Sequence, residues 1–112
     1  MSQRKYLGEF EHLVLLAVAH LGDQGYGLSI RREIERRTGR SVSTGAVYAT
    51  LERLEGKGHV SSWEGEATPR RGGRAKRHYR LRPAGARALM AARYAIDRMW
   101  EGLELPPGLK RA

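Results

Sequence analysis

The sequence predicts a mainly α-helical domain with one small β-hairpin and a long terminal helix. Three observations carry that prediction. Apolar residues recur at helical spacing in four separate segments. Residues 59–82 alternate instead, around a Gly- and Pro-containing middle, TPRRGGRA (68–75). Pro83 then opens a segment in which Leu89, Ala92, Ile96, Met99 and Leu103 repeat at spacings of 3 and 4. That repeat is a heptad seam, which favours helix–helix pairing.

The first helix is expected from about Gly8 to Leu21. Phe10, Leu13, Val14, Ala17 and Leu21 follow its period, and Leu15, Leu16 and Val18 widen the stripe beyond one face. A helix that is apolar on most sides is buried on most sides. In so small a domain this implies contact with a second subunit as well as the chain's own core. GDQG (22–25) breaks the pattern. The second helix is expected from Tyr26 or Gly27 to Thr38, with Leu28, Ile30 and Ile34 inward and Gly39 as its stop. Its arginines read as a solvated face that pairs with Glu33 and Glu35.

Ser43 is a good N-cap for a third helix that ends near Lys57, with Gly58 as the stop. At about 100° per residue, Val47, Leu51 and Leu54 point one way, with Ser43 beside them. Gly45, Ala49 and Glu52 point the other way, flanked by Tyr48 and Arg53. A glycine near the helix start lowers propensity by up to ~1 kcal/mol relative to alanine. Its presence asks for a reason beyond local stability. HVSSWEGE (59–66) and KRHYRLR (76–82) form the hairpin strands, and TPRRGGRA its tip. Pro83 opens the last helix as an N1 proline, and Pro106, Pro107 and Gly108 are expected to end it.

A length of 112 residues suits one compact domain. The balance of 21 Lys plus Arg against 12 Asp plus Glu, net +9, favours a polyanion partner. Residues 67–82 hold seven cations and no acid, so the excess is clustered, which points to nucleic acid. With no cysteine, neither a disulfide nor a thiolate zinc site can form. The histidines, His12, His20, His59 and His78, lack metal-ligand spacing. The most apolar run, LVLLAVA (13–19), is far short of a membrane span, which needs about 20 residues. The first residues, MSQRKYLGEFEH, lack a secretory h-region. A cytoplasmic protein without cofactor or membrane partner is expected. No GxSxG, HExxH or phosphate loop occurs, and the two aspartates, Asp23 and Asp97, sit in no recognisable constellation, so an enzyme is not expected.

Three helices, a hairpin and a terminal helix in this order make a winged helix-turn-helix domain (1–82), a C-terminal dimerisation helix (83–105) and a flexible tail (106–112). The third helix is then the recognition helix. Gly45 and Ala49 let it sit deep in a major groove about 12 Å wide. Ser43, Thr44 and Gly45 can meet a phosphate at its positive N-terminal end. Tyr48 and Arg53 border that face. Arg70, Arg71, Arg74, Lys76 and Arg77 of the wing can straddle the DNA backbone or enter the minor groove. A rival reading is an architectural protein that coats DNA with little sequence preference.

EFEHLVLLAVAHL (9–21), YGLSIRREIERRTGR (26–40), VSTGAVYATLERLEGKGHV (42–60) and GGRAKRHYRLRPAG (72–85) together resemble the PadR-like transcriptional regulators, in their short branch with a single C-terminal helix. The resemblance spans nearly the whole chain from Leu7 to Glu104. It implies a homodimeric DNA-binding regulator, usually a repressor, paired through the last helix with help from the first. By the same resemblance Tyr48 lies near the DNA backbone, Thr44 and Gly45 face the groove, and Gly72, Gly73, Arg74, Lys76 and Arg77 belong to the wing. Tyr26 is either core or phosphate-facing. Arg82 stands where the family commonly has a capping threonine, so that cap is weaker here. Relatives of the short branch can bind flat aromatic or drug-like molecules between subunits. Tyr94, Ile96, Met99 and Trp100 are the candidates here, either as pocket lining or as dimer core.

Overall fold

The computed structural model describes residues 6–65 and 76–109. Its elements are α1 (Glu9–Leu21), α2 (Gly27–Thr38), α3 (Thr44–Gly56), β1 (Val60–Glu64), β2 (Arg77–Leu81) and α4 (Pro83–Trp100), with short 3-10 turns at Gly22–Gln24 and Pro107–Leu109. This is the winged helix-turn-helix order. The wing tip, with Arg70, Arg71, Gly72, Gly73 and Arg74, lies outside the described residues.

The apolar stripes of α1, α2 and α3 meet in one core. Val14, Leu15, Val18, Ile30, Val47, Leu51 and Leu54 are at most 1% exposed. Each such side chain stabilises the fold by about 1.5–3 kcal/mol relative to exposure. Val60 and Tyr79 close the core from the hairpin side. The hairpin is antiparallel, running from Val60 opposite Leu81 to Glu64 opposite Arg77. A third backbone run joins it: the Tyr79 N–H donates to the Gly25 carbonyl at 2.8 Å, and Tyr26 bridges to His78. The wing is thereby tied to the loop that opens α2.

Two charged links fix the helices more firmly than their periodicity alone would. Glu11 on α1 is buried and accepts from Lys57 Nζ at 2.9 Å and from its own helix cap, Gly8 N–H, at 3.1 Å. Arg53 Nε stands 3.5 Å away. Burial pushes this carboxyl up, but the Lys57 ammonium, the Gly8 N–H and Arg53 together hold it below its ordinary value. On α2, Glu35 accepts from Val42 N–H at 3.0 Å in the turn before α3, and Arg31 bridges from Glu35 to Thr44 Oγ1. The Val42 N–H, more than Arg31, keeps the Glu35 carboxyl below its usual range. The turn between α2 and α3 is thus locked by one carboxylate.

The first half of α4 lies on the body, with Leu89 packed against the core, and the second half projects from it. Gly85 is its only buried residue. A Cβ there would overlap the His59 carbonyl, so glycine permits the close approach. The Arg82 N–H donates to that same carbonyl at 2.9 Å. No side chain caps the helix, as the arginine at its N-cap implies. Leu89 and Ala92 are half-buried, and every residue from Arg93 to Trp100 is exposed.

The helix ends earlier than the heptad pattern suggests. Glu101 turns to extended backbone and Gly102 takes φ +75°. Leu103 therefore lies beyond the helix rather than on its seam. Glycine is about 1 kcal/mol worse than alanine inside a helix and is favoured just past its end. The stop is thus made at Gly102, before Pro106 and Pro107 are reached. Among the described residues no helix is long and apolar enough to cross a membrane.

Candidate nucleic-acid interface

The exposed side of α3 begins with its smallest residues. Gly45, Ala46 and Ala49 all face solvent, and a Cβ on Gly45 would meet nothing within 4 Å. The helix starts cleanly because Ser43 Oγ accepts from the Ala46 N–H at 3.0 Å. That bond engages the Ser43 hydroxyl as a cap, one of the roles its sequence position suggests. Thr44 is half-buried and receives Arg31 Nη1 at 3.3 Å.

Tyr48 is 42% exposed, yet its ring is not free. It lies across the first turn of α2, in the space a Cβ on residue 27 would take. The YG pair before α2 and the VY pair on α3 are therefore one structural unit. Arg53 is drawn partly inward: Nη2 donates to Thr50 Oγ1 at 3.1 Å and Nε lies near Glu11. Its role among the outward residues is shared with holding α1 to α3.

On the wing, Lys76 Nζ sits 4.3 Å from the centre of the Tyr26 ring. The Tyr26 ring meets His78 edge-on at 5.6 Å, and His78 stacks on Trp63 at 5.3 Å. Arg80 also lies over the Trp63 ring, at 4.6 Å, and reaches Asp23 at 2.9 Å. Tyr26 and Trp63 are thus middle rungs of a cross-strand ladder, each half-buried. On the opposite face Arg77 Nη1 donates to Ser62 Oγ, which donates to Glu55 on α3. Arg70, Arg71 and Arg74 belong to the wing tip in sequence, outside the described residues.

α1 and α4 enclose a separate apolar groove of about 1000 Å³, floored by Leu13, Leu16, Leu89 and Ala92 and flanked by Met90 and Ile96. Of the residues considered for ligand binding, only Ile96 lines it. Tyr94 stands under Arg98, and Met99 and Trp100 lie further along α4, all exposed. Among the described residues no cluster of His, Cys, Asp or Glu could hold a metal ion.

Sequence reasoning anticipated the pairing of Arg31 with Glu35 but missed the Glu35 bond to Val42 N–H, and it missed the roles of Gly27 and Glu11. Glu11 had a legible signal. It stands three and four residues before Val14 and Leu15, on the buried stripe rather than the wet one.

Residues 15–91 match the Transcriptional regulator PadR-like family. Transcriptional regulator Rv3488 of Mycobacterium tuberculosis is 38% identical over 74 residues, 66% of this chain and 64% of that protein. The match thus spans just under two thirds of that relative's length. Among solved structures, H. salinarum RosR superposes with a TM-score of 0.66 at 26% identity, over 88% of this chain and 81% of that one. A PadR family transcription regulator from Clostridium difficile R20291 gives a TM-score of 0.66 at 22% identity, over 83% and 95%. This last likeness speaks for the fold alone.

Proposed function

The chain belongs to the PadR-like family of transcriptional regulators, and from that premise we propose that it acts as a homodimeric repressor on a near-palindromic operator. Two copies pair through α4, with help from α1. Their α3 helices enter successive major grooves about 34–36 Å apart. Residues 1–82 read the DNA, 83–105 join the subunits and 106–112 form the tail. The pairing role falls to Leu89, Ala92, Ile96 and Met99, with Leu103 contributing from beyond the helix end.

The observation that carries the DNA reading is the bare outer face of α3. Over the first two turns Gly45, Ala46 and Ala49 present nothing longer than a methyl to solvent, with Tyr48 at the flank and Glu52 further along. Such a helix approaches base edges closely. It offers few groups for direct readout, so groove shape contributes much of the selectivity. Arg70, Arg71, Arg74 and Lys76 supply phosphate contacts from the wing.

Binding to the promoter beside the chain's own gene, set against random duplex, tests this. A preference of about 10³ or more supports the regulator, and a ratio near one supports an architectural coat. The groove between α1 and α4 favours a second element of the proposal. At about 1000 Å³ it matches the upper range for small-molecule sites, roughly 300–1,000 Å³. A planar hydrophobic effector seated there against Ile96, with Trp100 brought in by the partner, releases the operator. A panel of such compounds that leaves tryptophan fluorescence and operator affinity unchanged removes this element.

A further inference from the structure

One line along α3 carries a single long side chain. Gly45, Ala49, Glu52 and Gly56 follow one another at spacings of 4, 3 and 4, which keeps them on one face. All four are exposed, and a Cβ on Gly45 or Gly56 would meet nothing within 4 Å. Glu52 is therefore the one residue on this line that reaches beyond a methyl. It makes no hydrogen bond or ion pair with any described residue. Its polar neighbours on the helix are all engaged by the protein. Ser43 caps the helix, Thr44 receives Arg31, Arg53 meets Thr50 and Glu11, and Glu55 accepts from Ser62. The Tyr48 ring lies over the first turn of α2.

A free carboxylate on the groove-facing line opposes a polyanion unless it finds donors there. It can only accept hydrogen bonds. The donors in the major groove are the N4 amine of cytosine and the N6 amine of adenine. Adenine sets its N7 acceptor beside that amine, where it repels the second carboxylate oxygen. Guanine and thymine turn only acceptors to this groove. Cytosine is the base that suits a carboxylate, and the others are rejected by repulsion as well as by a missing bond. The spacing fixes the place. Seven residues at about 1.5 Å each put Glu52 roughly 10.5 Å beyond Gly45, or about three base steps of 3.4 Å for a helix lying along the groove.

We infer that Glu52 reads a cytosine in each half of the operator, accepting from its N4 amine, about three base pairs from the point where Gly45 approaches. The inference rests on the operator reading proposed above. It adds one direct base contact to a helix that otherwise senses groove shape.

Selection from randomised duplexes by the full chain tests it. The parent is expected to return a cytosine at one position of each half-site, preferred by roughly tenfold or more over the other bases. Glu52→Ala is expected to flatten that position and leave the others as they were. Glu52→Gln should move the preference there to adenine, whose N6 and N7 match an amide. Both variants are expected to melt within a few degrees of the parent, because the side chain is exposed and bonded to no described residue. A parent with no preferred base at any position overturns the operator reading, and this contact with it. A parent with clear preferences that both variants reproduce overturns the Glu52 contact alone, the carboxylate then doing no more than weakening all DNA binding.

Discussion

The phenol ring of Tyr48 on α3 occupies the space where a Cβ on residue 27 of α2 would stand. The atoms that would collide are the far end of a half-exposed side chain, so the ring can swing away. Gly27→Ala is therefore expected to leave the thermal midpoint within a few degrees of the parent, a change of about 1 kcal/mol or less. Operator affinity is expected to fall tenfold or more, about 1.4 kcal/mol, because the displaced ring projects from the recognition helix. Adding Tyr48→Ala to Gly27→Ala should recover part of the loss, since it removes the projecting ring and couples the two sites. Mobility-shift titrations alongside thermal melts check this. Full operator affinity in Gly27→Ala would mean that the ring position is irrelevant to binding.

Gly45 faces open space, so the folded chain accepts a side chain there. Gly45→Arg is expected to melt no lower than the parent, since it removes a glycine from a helix. Its operator selectivity is expected to drop toward the random-duplex level. Competition binding with both duplexes measures this. Tighter operator binding with selectivity kept contradicts close approach of the helix.

The Glu11 carboxyl has a clear pH signature. Despite its burial, Lys57, the Gly8 N–H and Arg53 hold it below the ordinary 4.5. A carboxylate whose pKa is depressed by folding stabilises the fold above its ordinary pKa. That contribution is lost as pH falls through the lowered value. Glu11→Gln is expected to cost about 1–3 kcal/mol at pH 7, the worth of charged hydrogen bonds. The gap between parent and variant should shrink below pH 4.5 and close in stronger acid. Urea melts of both chains from pH 7 downward test this, and a gap that persists unchanged in acid refutes the assignment.

Wing cations report through salt. Lys76→Ala and Arg74→Ala are each expected to lower the slope of log affinity against log salt by about one unit, the share of a single phosphate. Selectivity between operator and random duplex should change little, because groups bound to phosphate position the protein without reading sequence. A changed selectivity with an unchanged slope would place these residues at base edges instead.

The α-helices and the hairpin were legible because each rests on a local period or a local stop. Val47, Leu51 and Leu54 announce the inner face of α3 by spacing alone, and the outer face follows. What escaped notice is long-range. Gly27 and Tyr48 are 21 positions apart and no periodicity connects them. Glu35 reads as one of several helix-surface acids until the turn folds back to present the Val42 N–H. The helical run of α4 was legible as far as Met99, but an apolar residue at the right spacing, Leu103, concealed the stop at Gly102. Spacing registers side chains, whereas that stop is a matter of backbone conformation.

The root of α4 has a mechanical meaning. Eighteen residues at about 1.5 Å each make a rod roughly 27 Å long. Its first half is seated on the body, with Gly85 against the His59 carbonyl and Leu89 against the core. Rocking such a rod by about 5° carries its far end roughly 2 Å, given that length. In a pair joined along these rods, a small adjustment at that glycine resets the span between the two reading heads, at a distance from every base they touch.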